Sequence, residues 1–277
     1  MAKPRLTVSL RRASSRQPLA PRALFDGVRL PRRCVFLVHG YNTDQDRADD
    51  QYSAFERELD EASQGRWPGP VLGLVWPGDK PVPLFGPLYF RQGAQTALQC
   101  VPLLAAFIEE RLDHIGPGGE IMIVAHSLGC LLATDFVKLW RMRHGHEHAL
   151  RLVLMGAAIP TSGDYTALQG TPVRVLYSPD DVVLRRYFPI GQRKVERKFD
   201  RSYEAVGLHG LPADAVWKDS REWMRGYDHG DYWLGWSAAD EVCRFLGLMT
   251  EETLPERDVP EQVLPAMDEI GERQLPG

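Results

Sequence analysis

Residues 121–129 read Ile121-Met122-Ile123-Val124-Ala125-His126-Ser127-Leu128-Gly129, an apolar run that breaks into a short turn. Four or more consecutive apolar residues bounded by a turn are the pattern of a buried strand. Two before and two after Ser127 stand Ala125 and Gly129, small enough for a sharp strand-to-helix turn in which a larger Cβ would clash. Downstream, Leu128, Leu131, Leu132, Phe136 and Leu139 recur at helical spacing, so the turn lies between a strand and an amphipathic helix. This is the context a nucleophile elbow demands, with the Ser127 hydroxyl lifted clear of both elements. Ala125 replaces the first glycine of the G-x-S-x-G pattern and keeps its steric condition.

Outward from the elbow, strand-like runs alternate with helical patterns. The expected strands are Cys34 to Val38, Val71 to Trp76, Glu120 to Ala125, Leu150 to Met155 and Val173 to Tyr177, with helices near Asp44 to Ala62, Gln92 to His114, Leu128 to Arg143 and Leu234 to Leu248. Such alternation predicts an α/β fold, a mostly parallel sheet with helices on both faces. In these sheets the chemistry sits in loops at the carboxyl ends of the strands.

The chain has 277 residues, 44% of them hydrophobic, enough for a substantial α/β domain. Its apolar runs fall well short of a membrane span, and the basic N-terminus lacks the apolar core of a secretory signal, so a cytoplasmic protein without a transmembrane segment is expected. Cys34, Cys100, Cys130 and Cys243 have no C-x-x-C spacing and are expected as free thiols. The net charge of −4 is unevenly placed: residues 1–33 hold nine Lys/Arg against Asp26, and residues 250–277 hold eight Asp/Glu against Arg257 and Arg273. The last segment, with Pro255, Pro260, Pro265 and Pro276 and no aromatic residue, has the composition of a disordered tail. The expected organisation is therefore a basic extension over 1–33, with possible edge strands at Leu6 to Leu10 and Ala23 to Leu30, a folded domain over 34–249, and a tail over 250–277.

A serine hydroxyl is a poor nucleophile at neutral pH and needs a histidine to take its proton, with an acid to orient that histidine. After the run Val173 to Tyr177 comes Ser178-Pro179-Asp180-Asp181-Val182-Val183, and before the last helix comes Tyr227-Asp228-His229-Gly230-Asp231-Tyr232-Trp233. With these segments the chain resembles an α/β-hydrolase, in which nucleophile, acid and histidine follow in that order. The resemblance implies Ser127 as nucleophile, Asp181 as acid and His229 as base. Asp180 and His209, in Gly207-Leu208-His209-Gly210, are the competing acid and base. The interval between Asp181 and His229 leaves room for an insertion near 185–212.

Two backbone amides ordinarily stabilise the developing oxyanion. Leu128 would supply one. In hydrolases with a His-Gly-x turn the residue after the glycine supplies the other, which in His39-Gly40-Tyr41-Asn42 is Tyr41. These segments, with Ala125 to Gly129 and His229-x-x-Tyr232-Trp233, are similar to an uncharacterised bacterial family of α/β-hydrolases bearing an H-G-Y-N signature. The implied function is a serine hydrolase cleaving a small-molecule acyl ester, carboxylesterase-like, through an acyl-enzyme and without metal or other cofactor. The alternative is a catalytically silent binding or scaffold protein of the same fold.

Other features take blander readings. His126 and His39 are expected as packing residues. His144, His146 and His148 alternate as metal ligands can, yet in a polar stretch after a helix they suit a solvated helix end. The Pro-rich stretch Trp76 to Phe90 follows a strand on the active-site side, and Leu84 and Phe85 in it are candidates for an acyl-binding wall or for core packing. Arg185 to Arg201 holds seven Lys/Arg, suiting a solvated lid or an anionic substrate; without aromatic-basic alternation no nucleic-acid partner is expected.

Overall fold

The computed structural model describes residues 6–11, 30–66, 71–79, 86–197, 203–211 and 219–247. Seven strands form one sheet: β1 (Leu6–Ser9), β2 (Arg33–Val38), β3 (Val71–Val75), β4 (Glu120–His126), β5 (Ala149–Met155), β6 (Val173–Tyr177) and β7 (Asp219–Trp223). Their spatial order is β1-β3-β2-β4-β5-β6-β7, and every neighbouring pair is parallel. The elbow strand β4 is the middle one. Eight helices accompany them among the described residues: α1 (Gln45–Ala62), α2 (Gly86–Glu109), α3 (Leu112–Ile115), α4 (Gly129–His144), α5 (Val182–Arg186), α6 (Phe188–Glu196), α7 (Val206–His209) and α8 (Trp236–Phe245).

The continuous apolar runs are explained by burial on both faces. Along β2, Cys34, Phe36 and Val38 enter one core while Val35 and Leu37 enter the other; along β4, Ile121, Ile123 and Ala125 alternate likewise with Met122 and Val124. Helices α2 and α4 cover the first face, and α1 and α8 the second. The stripe Ala48, Tyr52, Phe55, Leu59 and Ala62 carries α1 onto its face, and Asp44 caps that helix by accepting the Arg47 amide at 2.9 Å.

Several boundaries depart from the sequence expectation. Helix α2 begins at Gly86, so Gly86 to Phe90 of the Pro-rich stretch are helical rather than loop; Pro87 in the first turn costs no hydrogen bond there. The expected helix to His114 instead divides into α2 and α3. The last helix starts at Trp236 and not Leu234, because Asp231–Trp233 forms a separate 3₁₀ turn. Strand β7, Asp219-Ser220-Arg221-Glu222-Trp223, was not expected: as an edge strand it needs no apolar run.

Between β6 and β7 lie α5, α6 and α7, whose Leu184, Phe188 and Leu208 form a third, smaller core with Ala158 and Tyr203. The expected strand at Ala23 to Leu30, except Leu30 itself, and the tail over 250–277 lie outside the described residues, as do Leu84 and Phe85. No described helix is long and apolar enough to cross a membrane.

Candidate active site

Ser127 leaves β4 at φ 54°, a left-handed conformation in a residue that is not glycine, at a cost of roughly 1–2 kcal/mol. Its neighbours hold it there. The Ser127 N–H donates to Met155 O at 3.0 Å, and its carbonyl accepts from Cys130 N and Ala158 N, each at 3.1 Å. The glycines have a steric reason. A Cβ on Gly129 would stand 2.5 Å from His39 O and 2.8 Å from Val38 O, and one on Gly40 would stand 2.7 Å from Ser127 Cβ. The carboxyl ends of β2 and β4 are thus pressed together, with Gly40 against the serine.

Asp181 and His229 arrive from the ends of β6 and β7. His229 Nδ1 lies 2.7 Å from Asp181 Oδ2, and its Nε2 lies 2.8 Å from Ser127 Oγ. A carboxylate only accepts, so Nδ1 carries the proton and Nε2 presents a lone pair to the Ser127 hydroxyl. Asp181 is fully buried and is the N-cap of α5, its Oδ1 accepting the Leu184 amide at 2.8 Å. Both carboxylate oxygens are therefore engaged. Asp180 turns elsewhere: its Oδ2 accepts the Gly226 amide at 3.1 Å, tying the histidine loop to the acid turn. Asp228 adds a tie by accepting the amides of Val182 at 3.1 Å and His229 at 2.8 Å, and Ser178 Oγ donates to Tyr227 O at 2.6 Å. His209 is exposed at the end of α7.

Two histidines read as packing residues do more. His126 Nε2 lies 2.8 Å from the His229 carbonyl; only a protonated Nε2 can bond there, so it donates. The His126 ring lies against those of His229, Tyr232 and Trp233 at 4.8, 5.7 and 5.8 Å. Burial, and then the neighbouring His229, hold its pKa well below the ordinary histidine value. His39 is completely buried and stacked on Trp76 at 5.4 Å and 9°. Its Nε2 accepts the Trp76 amide at 3.2 Å, so Nδ1 donates to Gly40 O at 2.8 Å. Burial lowers its pKa to about 4. His39 thereby locks the turn that carries Tyr41.

The Tyr41 ring meets Phe90 edge-on at 6.2 Å and lies over Gly93, where a Cβ would come within 2.7 Å of it. Leu128 is the N-cap of α4, at the positive end of its helix dipole. Among the described residues no group of three or more His, Cys, Asp or Glu is placed to hold a metal; His144 instead bonds Glu109 at 2.9 Å. The four cysteines are buried and free. Burial pushes the thiols of Cys34, Cys100 and Cys243 up to about 12 and that of Cys130 higher still, which leaves them unreactive at neutral pH.

No protein-family model matches the chain, and a comparison with curated proteins found no match. Similar solved structures include an esterase from Pyrobaculum calidifontis, at 14% identity and TM-score 0.44 over 83% of this chain and 78% of that one. SOBER1 of Arabidopsis thaliana is 15% identical at TM-score 0.44 over 78% of this chain and 98% of its own. EstE1, a carboxylesterase from a metagenomic library, is 15% identical at TM-score 0.44 over 81% and 82%. The fold itself is defined by the sheet and its loops: an elbow at the carboxyl end of the middle parallel strand, an acid after β6 and a histidine after β7. The chain has the α/β-hydrolase fold.

The strained elbow predicts that Ser127→Gly unfolds at higher urea than Ser127→Ala, by about 1 kcal/mol, since only glycine relieves the positive φ; an equal or lower midpoint would place the strain elsewhere. The two neutral histidines predict a pH dependence. The unfolded chain takes up protons near pH 6.5 while folded His39 resists to about 4, so the unfolded state binds more protons in that window and stability falls as pH drops through it. The slope is at most about 1.4 kcal/mol per pH unit for each histidine, read from urea midpoints at pH 5 and 7.5.

Proposed function

We propose that the protein is a serine hydrolase that cleaves a small-molecule ester-type acyl bond, in the manner of a carboxylesterase. The observation that carries this reading is one imidazole bridging a strained serine and a buried carboxylate with hydrogen bonds of 2.8 and 2.7 Å. In the proposed reaction His229 Nε2 takes the Ser127 proton as Oγ attacks the carbonyl carbon. Asp181 holds the imidazole in the required tautomer and stabilises the imidazolium that forms. The amides of Tyr41 and Leu128 receive the oxyanion, each such donor being worth about 10²–10³ in turnover. Collapse expels the alcohol, protonated by His229, and leaves the acyl group on Ser127. Water, deprotonated by His229, then attacks the ester so formed and releases the acid.

Further support comes from the effort spent on holding His229: its carbonyl is bonded to the elbow, the loop before it to the acid turn, and its amide to Asp228, which also accepts the Val182 amide. A binding scaffold has no use for such a constraint. The His39-Gly40-Tyr41-Asn42 and Ala125 to Gly129 segments favour a place among bacterial hydrolases with the H-G-Y-N signature, and the acidic net charge disfavours a nucleic-acid partner.

Hydrolysis of p-nitrophenyl esters by a variant series tests the reading. Ser127→Ala and His229→Ala should each lower kcat by about 10⁶, because members of such a unit fail together. Asp181→Asn should cost about 10⁴. Asp180→Asn, which can still accept from Gly226, should stay within about tenfold of the parent, a loss of no more than roughly 1.4 kcal/mol. Greater damage from Asp180→Asn than from Asp181→Asn would overturn the assignment of the acid.

A further inference from the structure

A groove of about 180 Å³ opens beside the elbow between α2, α4, α6 and the loop after β5. It starts beside Ser127: Leu128, the next residue, lines it, and so does Ala158, whose amide donates to the Ser127 carbonyl. From there it follows α4 past Leu131 to Lys138; these positions share one helix face, and the ten steps from 128 to 138 rise about 15 Å. Across from them, Phe90, Ala94 and Leu98 recur every four residues along α2 and form the opposite wall. The walls near the serine are apolar. A cavity of about 150 Å³ holds a benzene-sized ligand, so this one takes on the order of six to eight carbon atoms.

The far end carries charge. Lys138 Nζ lies 3.4 Å from Asp135 Oδ1 and sits over the Tyr165 ring at 5.9 Å. Asp164 also lines this end, and hydrogen bonds from the Thr166 amide and hydroxyl hold it as a carboxylate. Two carboxylates thus face one ammonium already paired. An anionic tail would meet net repulsion there, while a neutral tail meets none.

We propose that this groove is the acyl site, taking neutral straight chains of about six to eight carbons in preference to acetyl and to chains ending in a carboxylate. The inference rests on the serine-hydrolase reading and adds to it the substrate class. The test is kcat/KM for p-nitrophenyl esters from acetyl to dodecanoyl, and for the half-ester of adipic acid, on the full chain.

Each buried methylene should raise kcat/KM about fourfold up to hexanoyl or octanoyl, with a plateau beyond. The adipoyl half-ester should fall at least tenfold below hexanoyl. Leu131→Trp narrows the groove midway and should lower the octanoyl-to-acetyl ratio at least tenfold; Leu98→Trp, at a position already 43% exposed and so free of folding risk, should lower it in the same direction. Asp135→Asn combined with Asp164→Asn should raise the adipoyl rate relative to hexanoyl. A flat or acetyl-preferring profile that neither tryptophan moves would overturn the acyl site and leave the serine hydrolase standing. Absence of Ser127-dependent turnover of every ester by folded protein would overturn the hydrolase reading, and the acyl site with it.

Discussion

The contact on which the rest of the site depends is between two backbones: the turn after β2 at Gly40 and the elbow after β4 at Ser127 to Gly129. A Cβ on Gly40 would stand 2.7 Å from Ser127 Cβ, and one on Gly129 would stand 2.5 Å from His39 O. Parallel strands of one sheet end side by side, and here two chain reversals share the space that one side chain would fill. The serine, forced to φ 54°, stays in place because the sheet around it is buried on both faces and cannot relax. The strain is local and its restraint is global, so rigid position comes from core packing rather than from the loop.

The second layer of the site is a set of ties among loops. Loops at the carboxyl edge are bonded to one another: His39 to its own turn and to Trp76 just after β3, Ala158 to the elbow, His126 to the His229 carbonyl, Asp180 and Ser178 to the loop before His229. Two of these ties run through histidines that are buried and neutral. A protonated His39 could no longer accept the Trp76 amide, so the proton that would disrupt the site is excluded by the same burial that builds it. Stability in mild acid and geometry at Ser127 are thereby coupled.

How much of this was legible in the sequence follows from how local each feature is. The five expected strands have apolar runs because both their faces are buried, and the elbow was legible because its steric demand falls on residues two apart from the serine. Strand β7 was not, since Asp219-Ser220-Arg221-Glu222-Trp223 pairs on one side only. The choice between Asp180 and Asp181 has a local signal in the sequence: an aspartate directly before Val182-Val183-Leu184 suits a helix N-cap, and that cap fixes the carboxylate facing His229. The role of His126 had no local signal, because its partner is 103 residues away. The groove is likewise assembled from four separate segments and has no motif.

The proposed role of Ser127, a nucleophile activated through His229, is open to covalent trapping. A fluorophosphonate reacts with an activated serine by forming an oxygen–phosphorus bond as fluoride departs. Intact-mass measurement followed by peptide mapping should show a single adduct, on the peptide bearing Ser127, absent from Ser127→Ala and strongly slowed in His229→Ala. Folded protein that stays unmodified, or an adduct that persists in Ser127→Ala, would contradict it.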